Sequence, residues 1–403
     1  MVSCTKAPAE NPDVSFEDID LSGKTITVYD QTAVVLSDGV LGGGFFDYKK
    51  LAKKLDCTID VKTYQDNVQF TKILAGDSDI DIYVINSDEA ELLSNAGALY
   101  TIQSDKVKAF NSKCFDSLQE FSVNKDGDTV LMPVAMTLHA LFAPKEAVEE
   151  LGITADDVRY LYDYLDYIKN YNGERKVYSA PAVKLFIQID RQYGYAYCDY
   201  ENGKFDYNTD VYKKYYSTLL DGWSDDNLGN PWYATHDPYL NTYKTADSLF
   251  VIDSFGSRAD LQGYYNNWVA FPIPRLDESV DKIPVSGKFI CINPTSLQLG
   301  EAEKVLEYIS DHYYDVKGPN SKSNMIFKDV SMYPNKNYDD PVYINTESEV
   351  FKNFMEIVED TIVFQGVLNG NNRDDLIGYQ SGKYTIDEAI EVRSREVDIM
   401  LNE

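Results

Sequence analysis

Three polar residues, Asn86, Ser87 and Asp88, follow directly on the apolar run Ile80, Ile82, Val84 and Ile85. An amide, a hydroxyl and a carboxylate there could hydrogen-bond a small polar ligand, because open α/β sheets bind ligands outside the carboxyl ends of their strands. Other chemistry is less well supported. Gly42-Gly43-Gly44 precedes a helical stretch and could cradle an anion. It lacks the P-loop lysine and hydroxyl and does not match GxGxxG, so a flexible loop is the better reading. The five cysteines (Cys4, Cys57, Cys114, Cys198, Cys291) lack CxxC spacing, and His139, His236 and His312 lack ligand spacing, which argues against a zinc site. No GxSxG, HExxH or EF-hand loop occurs, and DYENGKFDYNTD fits an Asn-Gly hairpin better than a calcium site. The 66 acidic residues allow many carboxylate pairs for glycoside hydrolysis, but none stands out. The expectation is a binding protein without metal or cofactor, not an enzyme.

The elements that must position Asn86–Asp88 are legible. Val68, Ile73 and Leu74 fall at helical spacing and Gly76 suits a left-handed C-cap. A short buried strand, a polar loop, a second helix and a glycine stop follow, up to Ile102. Upstream, residues 25–29 (TITVY) read as a first strand, 45–55 as a helix and 58–63 (TIDVKT) as a second strand. This βαβαβ order predicts a parallel sheet with helical crossovers. Residues 124–128 carry an Asp-Gly turn, and the apolar run 131–144 (LMPVAMTLHALFAP) reads as a long strand crossing between domains. Further on, helices are expected at 145–151 (ended by Gly152), 157–170, 210–220 and 299–310. Asn202-Gly203 predicts a hairpin, and strands are expected at 248–252, 267–271 and 288–292. Thr346 with Glu349, and Thr385 with Glu388, have capping-box spacing before two last helices.

A chain of 403 residues favours two or three domains. Hydrophobic residues at 44% indicate a folded protein, and the 32 tyrosines supply flat faces with polar tips that suit interfaces and sugar rings as well as ordinary core. A net charge of −29 repels nucleic acid and anionic lipid. No apolar run is long enough to span a membrane. Val-Ser-Cys at residues 2–4, before a polar Pro-bearing tether, resembles the end of a bacterial lipoprotein signal, so Cys4 is the expected lipidation site.

Taken in order, these signals resemble the extracellular solute-binding proteins of ABC importers, of the maltose-binding-like type. FTKILAGDSDIDIYVI with LLSNAGALYTI, DGDTVLMPVAMTLHALFAPKEAVEELGI, ADSLFVIDSFG, VAFPIP, SGKFICINPTSLQLGEAEKVLEYI and YQSGKYTIDEAIEV each resemble a family segment, in the family's order. Two departures are visible: Thr154-Ala155-Asp156-Asp157 replaces a Thr-Trp, and Phe255 stands where a ligand-stacking Trp is common. The resemblance implies a two-lobed, periplasmic-binding-protein-like type II α/β fold with a ligand cleft between hinge crossings. Its parts would be a tether (1–24), an N-terminal lobe (25–134 plus 286–332) and a C-terminal lobe (138–283 plus 343–403).

The resemblance further implies a lipid-anchored monomer on the extracellular face of the cell membrane, periplasmic if the cell is Gram-negative. It would close on a sugar or oligosaccharide and deliver it to ABC permease subunits. Ligand candidates in the first lobe are Asp30, Gln31, Asp66, Asn86 and Asp88. In the second they are Trp223, Trp232, Phe255, Ser257 and Arg258. Asp30 and Asp88 would serve equally as helix caps, the tryptophans and Phe255 as packing, and Arg258 as an ion-pair partner. Another polar solute (a peptide or organic acid), a glycan-active enzyme and a surface adhesin are the competing readings. An acidic solute would require clustered Arg or Lys in the cleft, where Arg258 is the one obvious candidate.

Overall fold

The computed structural model describes residues 16–30, 32–35, 41–63, 79–173, 182–221, 249–255, 267–318, 325–333, 346–364 and 374–402. The expected helix ending at Gly76, and Cys4, Gln31, Asp66, Trp223, Trp232, His236, Ser257 and Arg258, lie outside these residues. So does the side chain of Phe255.

The architecture is α/β around a mixed sheet. Strand β1 (Thr25–Asp30) lies between β4 (Thr58–Lys62) and β5 (Ile82–Asn86), parallel to both, as the βαβαβ order predicts. The sheet then turns antiparallel. The long strand β9 (Ile283–Ile292) inserts between β5 and β6 (Met132–Pro144), and β7 (Val251–Phe255) and β8 (Trp268–Pro272) pair with the far half of β6. The short strand β10 (Thr361–Val363) runs parallel to the start of β9. Gly42 and Gly43 are not a flexible loop: β3 (Leu41–Gly43) pairs with β2 (Val34–Val35) in a small antiparallel ribbon.

Strand β6 is the long strand expected from its apolar run, and its partners change midway. Met132 to Thr137 pair with β9, whereas Leu138 to Pro144 pair with β7 and β8. Strand β9 changes partner at the same level: Val285 pairs with Val363 of β10, and Ser286 pairs with Thr137. Thr137 is the one exposed residue of β6.

Successive strand residues face opposite sides, so the far half of β6 feeds two apolar clusters. Leu138, Ala140 and Phe142 join a cluster that also holds Ile26, Val84, Leu93, Phe289 and Phe354. Leu141 and Ala143 join a second, with Leu185, Ile189, Tyr212 and Ile390.

Helix α1 (Tyr48–Leu55) begins later than expected, because Asp47 caps it by accepting from the Lys50 N–H. Helix α2 (Ser87–Asn95) follows β5 without a loop, and the expected glycine stop is Gly97 at φ 65°. Helices α3 (Asp105–Asn111) and α4 (Asp116–Phe121) precede the Asn124–Asp128 turn, whose Asn124 side chain accepts from the N–H groups of Asp126 and Asp128. Helix α5 (Lys145–Leu151) ends on Gly152 at φ 63°, as predicted.

The stretch expected to be one helix from 157 is split. A 3-10 turn (Asp156–Val158) gives way to α6 (Leu161–Asn170) because Tyr160 and Arg275 bridge at that point. Helix α7 (Ala182–Tyr197) was not apparent in the sequence. The Asn202-Gly203 turn is held by a single Asp199–Lys204 bridge and not by paired strands. Helices α8 (Asp210–Asp221), α9 (Leu299–Asp311), α10 (Glu349–Val358), α11 (Asp374–Gln380) and α12 (Ile386–Asn402) complete the chain. Ser348, not Thr346, caps α10, whereas Thr385 and Glu388 do form the box ahead of α12. No described helix is long and apolar enough to cross a membrane.

The buried Glu303 and Glu307 of α9 tie down the start of α3: Glu303 accepts from the N–H groups of Gln103 and Ser104, and Glu307 from the Ser104 hydroxyl. Burial pushes the Glu303 carboxyl up from 4.5 to about 7, against those two N–H groups. Between these values the folded protein holds a proton that the unfolded chain has released. The contribution of this group to stability is therefore full below its unfolded pKa and falls as pH rises to about 7. In Glu303→Gln the gain in unfolding free energy from pH 7.5 to pH 5 should shrink by about 1–3 kcal/mol. Urea melts at the two pH values test this; an unchanged pH slope would show that Glu303 ionises freely in the fold.

Candidate ligand-binding site

Strand β1 ends at Asp30, opposite Val84, and its parallel neighbour β5 runs two residues further to Asn86. Asp30 is fully buried and its carboxylate is in full use. Oδ1 accepts from the N–H (2.8 Å) and hydroxyl (2.7 Å) of Thr32, and Oδ2 from the Phe45 N–H (2.7 Å) and the Tyr48 hydroxyl (2.6 Å). Burial first, and then the Asp30 charge, push the Tyr48 phenol well above its ordinary value. Gly44 is required at this point, since a Cβ there would sit 2.7 Å from the Tyr48 ring and 3.1 Å from Asp30 Oδ2. Asp30 thus organises the segment leading to α1, with four donors around it.

Asn86 sits at the N-terminus of α2 and not in a loop. Its N–H donates to Glu89 Oε2 (3.3 Å), and its side-chain oxygen accepts from Lys288 Nζ (2.8 Å). Lys288 arrives there because β9 pairs it directly opposite Asn86. Ser87 is buried, and its hydroxyl accepts from the Gly287 N–H. Asp88, in the first turn of α2, has a buried Oδ1 without a hydrogen-bond partner.

Arg191 completes the group from helix α7, whose apolar face (Leu185, Phe186, Ile189, Tyr193) lies in the second cluster. Arg191 is 6% exposed; its Nη1 donates to Gln188 at 3.4 Å, and its Nε has no partner. The neighbouring buried residues of α7 are fastened to the second cluster's side. Gln192 donates to the Pro274 carbonyl and accepts from the Leu276 N–H, and Asp190 accepts from Tyr212 and Tyr215.

The charges act on one another. Burial raises the Asp88 carboxyl, opposed by the Glu89 and Asp88 N–H groups and then by Lys288 and Arg191. Burial and the Asp88 charge push Glu89 up to about 7. Burial lowers Lys288, while Asp30, Glu89 and Asp88 raise it. Burial brings Arg191 down to about 10, against Asp88 and Asp190. An acceptor on α2, beside the first cluster, and a donor on α7, in the second, are thus near enough to act on each other's charge.

Of the sequence candidates, Asp30, Asn86 and Asp88 are brought to one edge. Phe255 ends β7, paired with Leu138, away from the β1–β5 edge in the order of strands. Glu89, Arg191 and Lys288 were not among the candidates. Glu89 was readable as the third residue of a capping box after Asn86, and Arg191 lies on a helix with Leu185, Ile189 and Tyr193 four residues apart. Lys288 had no local signal beyond being a lone cation at the head of KFICI. Among the described residues no His/Cys/Asp/Glu group is arranged to hold a metal, and Cys57, Cys114, Cys198 and Cys291 are free thiols. Comparison with known protein families and with curated proteins finds no match.

Proposed function

We propose that this chain is the solute-binding component of an ABC importer. It would take a sugar or oligosaccharide between two α/β lobes and present the closed form to membrane permease subunits, with Cys4 as its lipid anchor on the extracellular face. One observation carries the reading: β6 and β9 both change partners at the Thr137–Ser286 pair. Two strands that cross together, at an exposed point of an otherwise buried strand, have the form of a hinge. The polar group at Asn86, Asp88 and Arg191 draws on elements that belong to different apolar clusters. A ligand touching both would favour closure, because only differential contacts shift such an equilibrium.

A thermal-shift screen over mono- and oligosaccharides, short peptides and organic acids tests this, since a bound ligand raises apparent stability by mass action. A sugar at 100 times its dissociation constant should add about 2.7 kcal/mol. Shifts by peptides or acids alone would overturn the sugar assignment, and turnover of an oligosaccharide would overturn the binding-protein reading.

A further inference from the structure

Asp88 Oδ1 and Arg191 Nε are opposite in kind. The first only accepts when ionised, and the second only donates. Both are buried, and neither has a hydrogen-bond partner. The neighbouring polar groups are already engaged: Lys288 on Asn86, Glu89 on the Asn86 N–H, Asp30 on four donors, and Asp190 on two tyrosines. Buried polar groups in folded proteins are almost always bonded, so a matched pair of unfilled positions limits what can lie between them.

We infer that Asp88 and Arg191 together select an uncharged, hydroxyl-bearing group, one hydroxyl donating to Asp88 and its neighbour accepting from Arg191. This deepens the proposed function and rests on it. A hydroxyl is both donor and acceptor, so adjacent hydroxyls of a sugar ring serve both side chains at once. A carboxylate would satisfy Arg191 and be repelled by Asp88. An ammonium would satisfy Asp88 and be repelled by Arg191. Like charges brought together at a binding surface cost several kcal/mol. Arg191 and Lys288 therefore do not make an acid site: Lys288 is already bonded to Asn86, at the start of the helix that carries Asp88 and Glu89, and Asp88 acts on Arg191.

The test is calorimetric titration of the full chain with matched probes: glucose, galactose, mannose and their disaccharides, each beside its uronate and its 2-amino analogue. The wild type should bind a neutral member about 100-fold more tightly than either charged analogue. Asp88→Asn should narrow the gap to the uronate and widen the gap to the amino sugar. Arg191→Met should do the reverse. Melting curves of both variants establish that they are folded, and the wild-type ranking tests the inference without any variant. Equal binding of the three forms by the wild type, or variants that weaken all three alike, would overturn the inference and leave the binding-protein reading in place. If no sugar, charged or neutral, binds, the inference falls together with the sugar assignment.

Discussion

Asp190→Ala is expected to destabilise the protein by about 3–5 kcal/mol. Asp190 is 2% exposed on α7 and sits where three helices meet. Its Oδ1 accepts from Tyr212 (3.0 Å) and Tyr215 (2.7 Å) of α8, and its Oδ2 lies 3.5 Å from Arg393 Nη2 of α12. Arg393 is fully buried. Its further pairing with Glu396 at 3.4 Å lies on its own helix and does not replace a partner across the interface. Without Asp190 the buried Arg393 loses its carboxylate from α7, and the Tyr212 and Tyr215 phenols each lose a charged acceptor. Breaking one side of a buried pair costs far more than the intact pair contributes, because the remaining charge keeps its desolvation penalty. Urea unfolding measures the loss. Asp190→Ala/Arg393→Met should recover part of it, since the guanidinium that lost a carboxylate is then gone while the two phenols still lack Asp190. A loss below about 1 kcal/mol in the single variant would refute the role given to Asp190.

Lys317→Met has the opposite expected sign, a gain of about 1–4 kcal/mol at neutral pH. Lys317 is 3% exposed, and no carboxylate pairs with it among the described residues. Its ammonium lies 4.1 Å from the centre of the Tyr313 ring, 5.2 Å from Phe45 and 5.9 Å from Tyr314, with the Val134 carbonyl at 3.4 Å. Ring faces and one long hydrogen bond do not offset the loss of water around a cation, and burial lowers the amine well below its ordinary value. The sign follows. Below the unfolded pKa the unfolded chain holds a proton that the folded state gives up, so the wild type loses stability as pH falls from about 10.4 toward the folded value. Methionine fills a similar volume and does not titrate. Its advantage should be largest at pH 6 and smallest near pH 10, as read from denaturant melts. A variant less stable than wild type at every pH would mean that the aromatic cage more than repays the desolvation.

Local signals reached far in this chain where both ends of an element carry their own markers. Lys145 to Gly152 was legible because charged and apolar residues alternate at helical spacing and a glycine ends the run. The box of Thr385 and Glu388 was legible because its two hydrogen bonds join residues three apart. Helix α7 was missed because its buried face leans on tyrosines. Tyr193, Tyr212, Tyr215 and Tyr216 are fully buried, and several spend their hydroxyls on buried carboxylates. Tyrosine-rich segments therefore read as surface when they are core. The mixed sheet was missed for another reason: the pairing of Asn86 with Lys288 joins residues about 200 apart, and no window of sequence contains it. The site inherits both difficulties. Asn86 and Asp88 announce themselves after a strand, whereas Arg191 depends on the overlooked helix and Lys288 on the distant strand.

The central place of β9 has a consequence for how the chain is made. Strands β5 and β6 do not pair with each other; each waits for β9, which leaves the ribosome well over a hundred residues after β6. Until then a nascent chain displays two strands with open edges, a template for pairing with other chains. The first cluster also recruits Phe354 and Val363, and the second recruits Val397. Pairing of β5 and β6 through β9 is thus a loop closure of high sequence separation, the kind of contact that slows folding.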